Sequence, residues 1–107
     1  MEDDKITDLL LKVTGVSFPN LDGSSRQEIL GNMSDNASIS LVREPENEYD
    51  PNAIMVMADK KQVGYVSKEE NIMIAPLMDS GALFEAEVWE KSQYKGTWYL
   101  HIIIREV

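Results

Sequence analysis

Apolar residues in this chain recur mostly at every second position, the period of a strand with one face on a core. The run LLLKVTGVSF places Leu11, Val13 and Phe18 among the β-formers Thr14 and Val16, and predicts a first strand. Residues 38–44 alternate through Ile39 and Leu41, and AIMVMA and QVGYV supply a third and a fourth strand. Phe84, Ala86 and Val88 then alternate with Glu85, Glu87 and Trp89. After the turn QYKGT, WYLHIIIREV resumes the alternation through Leu100, Ile102 and Ile104, which predicts a hairpin.

Two stretches break this period. Ser25 stands three residues before Glu28, and Ser67 three before Glu70, the spacing at which a hydroxyl and a carboxylate cap a helix start. The first helix is predicted to be short, because Gly31 and Asn32 follow at once. The second runs through Ile72, Met73, Leu77 and Met78, with Pro76 expected to kink it or break it into two turns and Gly81 to end it. Six strands and two short helices predict a mainly β fold, a small six-stranded barrel of the OB-like or SH3-like kind, whose closure leaves no open edge. The expected organisation is a frayed stretch over residues 1–8 followed by one domain over residues 9–107, a size sufficient for a single core.

Composition narrows the function classes. Ten basic and nineteen acidic residues leave a formal charge of −9, so generic coating of nucleic acid is disfavoured, although a local basic pocket is not. No cysteine is present, which excludes disulfides and thiolate metal sites and suits a reducing cytoplasm. The opening Met-Glu-Asp-Asp has the wrong sign for a signal peptide, and the apolar runs are too short for a helical span.

Nothing in the chain marks a catalytic constellation. The single histidine, His101, sits inside an apolar strand, and no serine or cysteine stands in a nucleophile motif. Glu44, Glu46, Glu48 and Asp50 lack the glycine and terminal glutamate of a calcium loop, and the six glycines are scattered rather than gathered into a phosphate loop. No cofactor or metal is expected, and the chain reads as a binding module rather than an enzyme.

The most distinctive run is residues 43–54, REPENEYDPNAI. It has two readings. Pro45 ends a strand and Asp50-Pro51-Asn52 is turn chemistry, with Tyr49 covering the barrel edge. Alternatively, a rigid turn presents the aromatic face of Tyr49 beside a fixed acceptor, Asp50, which suits a stacked base or sugar with one hydroxyl to be read.

The ordered strings GVSF, SRQEIL, LVREPENEYDPNAIMV, QVGYVSKE and APLMDSG span residues 13–83, and the chain they make resembles the HIRAN domain. Members are OB-like barrels, found alone in bacteria and phages or fused to helicases and nucleases. In a eukaryotic helicase-fused member the domain captures the 3′ end of single-stranded DNA by its free hydroxyl. The resemblance implies that Phe18 and Tyr49 hold the terminal base, that Asp50 accepts from the 3′-hydroxyl and repels a 3′-phosphate, and that Asn52 braces the loop or adds a polar contact. It places Lys68 on a phosphate, at the first turn of a helix.

Two positions depart from the family pattern. Ser17 stands where an arginine is expected, and Tyr65, which can donate one hydrogen bond without a charge, replaces a histidine. Arg26 either substitutes for the lost arginine, if the loop over residues 19–25 folds back, or is a solvent-exposed first-turn residue. Residues 13–83 hold five basic and eleven acidic residues, a balance of −6, so binding is expected to be weak and salt-sensitive.

The implied partners are single-stranded DNA and a helicase or nuclease acting on it, in repair, replication or phage defence. The competing reading is an acidic protein-interaction module, or one that self-associates into a homo-oligomer through Trp89, Tyr94, Trp98 and Tyr99 of the last hairpin. Those aromatics also suit packing across the strand pair.

Overall fold

A computed structural model describes residues 5–107. The six runs of alternating residues form the strands β1 (Leu9–Thr14), β2 (Ile39–Arg43), β3 (Ile54–Ala58), β4 (Lys61–Val66), β5 (Phe84–Tyr94) and β6 (Thr97–Glu106). Two helices interrupt them, α1 (Arg26–Asn32) between β1 and β2 and α2 (Lys68–Asp79) between β4 and β5. The strands close into an antiparallel barrel in the order β1-β4-β3-β2-β5-β6, with β6 returning to β1. The mainly β, six-stranded barrel expected from the alternation is therefore the fold.

Alternation selects the core. Leu11, Val13, Ile39, Ile54, Val56, Val63, Leu100, Ile102 and Ile104 point inward and are buried. Leu30 of α1 and Ile74 and Ala75 of α2 join the same cluster, so both helices cap the barrel rather than stand apart from it. Closure demands a close crossing of β1 and β4. A Cβ at Gly64 would fall 2.6 Å from a methyl of Val13 and onto the carbonyl oxygen of Thr14, so the strands meet here because residue 64 has no side chain.

The capping serines behave differently. Ser25 accepts from the Glu28 N–H at 3.1 Å and caps α1. Ser67 occupies the cap position of α2 but makes no side-chain bond to the helix backbone, its hydroxyl donating instead to the Glu70 carboxylate at 3.1 Å. At the far end of α1 the side chain of Lys91, from β5, reaches the carbonyls of Leu30 and Met33 at 3.1 and 2.8 Å and lies over the ring of Trp98. A cation from another strand thus supplies the helix terminus that carries no basic residue of its own.

Two sequence expectations are corrected. The first strand stops at Thr14 rather than running to Phe18, because Gly15 turns the chain at a φ of +71° and carries Phe18 into a loop. Of the two outcomes expected at Pro76, the break into two turns does not occur, since α2 is one helix to Asp79. The carbonyl that loses its donor belongs to Ile72, four residues earlier, and Ile72 lies on the exposed face. Gly81 does end the helix, its N–H on Met78 and that of Ala82 on Leu77.

Part of the expected frayed stretch, residues 1–4, lies outside the described residues. Beyond it, Ile6 exchanges bonds with Glu106, donating to its carboxylate at 3.1 Å and accepting its N–H at 2.7 Å. The final hairpin carries a bulge between Val88 and Glu90 that turns Trp89 outward, while Trp98 and Tyr99 pack against the core. Among the described residues no helix is long and apolar enough to cross a membrane.

Candidate nucleic-acid interface

Two loops leave the barrel at the same end and bound an open cleft of about 1290 Å³. The first follows β1. Phe18 N–H closes a turn on the Gly15 carbonyl at 3.2 Å, and Arg26 at the start of α1 holds the loop down through Nε to Asn20 Oδ1 (2.6 Å) and Nη1 to the Gly15 carbonyl (2.8 Å). Asn20 in turn donates to the Gln62 carbonyl of β4 at 3.0 Å. Phe18 stands on this tethered loop 68% exposed, with Leu21 beyond it fully exposed.

The second loop joins β2 to β3, and its own polar side chains build it. Asn47 Oδ1 accepts the N–H groups of Tyr49 and Asp50 at 2.8 and 3.0 Å, and Asp50 Oδ1 accepts that of Asn52 at 2.9 Å. Glu44 N–H and the Ala53 carbonyl close the base at 2.9 Å. Arg43 clamps the loop from the strand side, donating to the carbonyls of Pro51 and Ala53 at 2.9 and 2.7 Å and to both carboxylate oxygens of Asp79. Over this rigid turn Tyr49 projects with 87% of its surface exposed.

The cleft between the loops is lined by Phe18, Arg26, Tyr49, Asp50, Tyr65 and Lys68, which residues far apart in sequence bring to one place. Asn52 is not in its lining. It serves the site through its backbone N–H on Asp50. The environment of Gly15 shows how tightly the centre is drawn: a Cβ there would sit 3.3 Å from Arg26 Nη1 and 3.8 and 3.9 Å from the rings of Phe18 and Tyr65.

Arg26 is buried, 7% exposed, so the solvent-exposed alternative for it is excluded. Its guanidinium lies over the Tyr65 ring, 5.4 Å from the centroid. Burial pushes its pKa down, and the neighbouring Tyr65 and Glu44 oppose the fall. Tyr65 does not present the free donor expected of it. Its hydroxyl is committed to Glu44 Oε1 at 2.8 Å, and its pKa is raised, first by burial and then by that carboxylate. Lys68 is exposed at the start of α2.

Asp50 engages both of its carboxylate oxygens in the cleft. Oδ2 accepts from Asn71 Nδ2 at 2.8 Å and Oδ1 from the Asn52 N–H. These bonds, the Asn71 one foremost, hold its carboxyl below the usual aspartate range, with help from the charges of Lys68 and Arg43. A carboxylate has about four lone-pair positions, so roughly two remain for a ligand donor. Among the described residues no group of histidine and acidic side chains converges in the manner of a metal site, and His101 lies away from the cleft, paired in register with Lys12 and Glu90.

Sequence reasoning missed three participants, Arg43, Glu44 and Asn71. Asn71 had a legible signal. It shares the inward stripe of α2 with Ile74, Ala75 and Met78, where a polar residue is out of place.

Comparison with known proteins agrees with this architecture. A crystal structure of a protein from Lactobacillus plantarum superposes with a TM-score of 0.77 at 26% identity, covering 94% of this chain and 93% of that one. The crystal structure of the HIRAN domain of human HLTF superposes with a TM-score of 0.69 at 27% identity, covering 95% of this chain and 78% of that one. Among curated proteins no match is found. The HIRAN domain profile matches residues 8–103, nearly the whole chain. This chain therefore belongs to the HIRAN domain family, a family of nucleic-acid-binding modules.

Proposed function

We propose that this domain recognises the free 3′ end of single-stranded DNA without catalysing any reaction on it. The observation that carries the reading is the pair of exposed aromatics, Phe18 and Tyr49, on two separately braced loops of one cleft that also holds the ionised Asp50. Base stacking on such a platform is worth about 1–3 kcal/mol per base and is indifferent to sequence. Asp50 accepts from the terminal hydroxyl and, being charged, repels a terminal phosphate. Lys68 and the unbonded edge of the Arg26 guanidinium supply the phosphate contacts.

The phosphate clamp is thin. Ser17 brings no charge, the Tyr65 hydroxyl is spent on Glu44, and Arg43 is spent on its own loop and Asp79. Affinity is accordingly weak and falls with salt. The domain then acts by delivering strand ends to a helicase or nuclease in repair or replication, within the cytoplasm, with the chemistry belonging to that partner.

Fluorescence anisotropy at low salt, with matched oligonucleotides ending in a 3′-hydroxyl or a 3′-phosphate, tests this. Tighter binding of the hydroxyl end is expected, and equal or absent binding of both overturns the reading. One observation favours a second function, self-association or protein docking: the β5 bulge leaves Trp89 59% exposed on the same strand as an exposed Tyr94. Light scattering at increasing concentration reads it directly, and a monomer throughout counts against a homo-oligomer.

A further inference from the structure

Of the polar side chains buried in the described residues, Asn71 is the most deeply enclosed, at 2% exposure. Its neighbours on the inward stripe of α2 are Ile74 and Ala75, both in the core. The amide is only half satisfied. Nδ2 donates to Asp50 Oδ2 at 2.8 Å, while Oδ1 is buried without a partner. The orientation follows from chemistry, since an ionised carboxylate only accepts and the amide must turn its nitrogen toward it. A buried acceptor left unpaired is destabilising, and an apolar residue would fill this stripe without that cost.

We infer that Asn71 is a positioning residue for end recognition, one that locks the plane of the Asp50 carboxylate so that its remaining lone pairs meet the ligand hydroxyl. The inference rests on the function proposed above. Asp50 has two anchors on two different oxygens, the Asn52 N–H on Oδ1 and the Asn71 amide on Oδ2. One anchor leaves the carboxylate free to turn about its last torsion; two define its plane. The Asn52 anchor is local to the loop. The Asn71 anchor crosses from α2, so it also ties the Tyr49 loop to the helix that carries Lys68. Selectivity for the end is then set partly by a side chain that need not touch the DNA.

The test compares oligonucleotides ending in a 3′-hydroxyl with the same sequences ending in a 2′,3′-dideoxynucleotide, which lacks only that hydroxyl and adds no titrating group. In Asn71→Leu, of similar size, the hydroxyl preference falls about tenfold, while affinity for the dideoxy end is unchanged. Asn71→Asp supplies a readout that a purely structural role would not move. At pH 8 two carboxylates face each other and the preference is lost. As the pH falls toward about 5 the pair takes up one proton, residue 71 again donates to Asp50, and the preference returns.

A preference retained in Asn71→Leu, or a pH-independent Asn71→Asp, overturns the inference and leaves the end-recognition reading standing. A wild-type protein with no preference for the hydroxyl end overturns both. Should Asn71→Leu fail to fold, the pH profile of Asn71→Asp alone decides.

Discussion

The hydroxyl of Tyr65 donates to the carboxylate of Glu44 across 2.8 Å, which holds an acid in the cleft close enough to act on the charge of Arg26. Glu44 also receives the Asn47 amide at 2.9 Å, so the pair links the floor of the cleft to the loop that carries Tyr49 and Asp50. Its negative charge opposes any phosphate passing Arg26. Glu44→Gln keeps the acceptor for Tyr65 and removes the charge. Binding of a 3′-hydroxyl oligonucleotide should tighten, by on the order of two- to fivefold at low salt, with the gain fading as salt screens it. Anisotropy titrations at two salt concentrations check this. An unchanged affinity would show that phosphates do not pass Glu44.

Arg43 and Asp79 are unequal partners. The arginine side chain is 12% exposed and also holds two loop carbonyls, whereas the aspartate is 54% exposed. Arg43→Met removes the donor of the Pro51 carbonyl and one of the two donors of the Ala53 carbonyl, and should cost about 1–3 kcal/mol in urea unfolding. Asp79→Asn should change stability little, because an exposed ion pair contributes little. Equal losses in the two variants would contradict the view of Arg43 as a loop clamp.

The depressed pKa of Asp50 has a definite sign in pH. A carboxyl with a folded-state pKa below its unfolded value, about 3.9, stabilises the protein above that value. The contribution disappears as the pH falls through the folded-state pKa. Wild-type stability should therefore fall below about pH 4, and Asp50→Asn should fall less over the same range. Hydroxyl-end binding should stay flat from about pH 8 to about pH 5, since Asp50 remains ionised throughout. A loss of binding already at pH 6 would place the responsible group elsewhere.

Few cations face the cleft, and salt dependence measures how few. With Lys68 and Arg26 as the contacts, the slope of log K against log salt for a single strand should be about −1.4. Lys68→Ala should reduce its size by about 0.7 and leave the preference for the hydroxyl end intact. A variant that lost that preference would mean Lys68 acts on the terminus itself.

Local rules carried most of the fold. Alternation at Ile39 and Leu41 and at Leu100, Ile102 and Ile104, together with the serines ahead of Glu28 and Glu70, marks the elements without knowledge of their neighbours. The expected breaks were less legible, because they depend on what lies outside the local window. Pro76 is tolerated on account of where the carbonyl of Ile72 stands, and the first strand ends where Gly15 turns.

The candidate site divides in the same way. Sequence by itself determined the residue types: two aromatics, one acid and one lysine at motif positions, in a chain with a formal charge of −9. Only the tertiary structure decided which of these groups are still available. It spent the Tyr65 hydroxyl on Glu44 and Arg43 on its own loop, drew Arg26 into the interior over Tyr65, and set Asn71 against Asp50 from 21 residues away. Availability of a donor or acceptor is a property of its neighbours in space, and barrel closure, not chain order, brings those neighbours together.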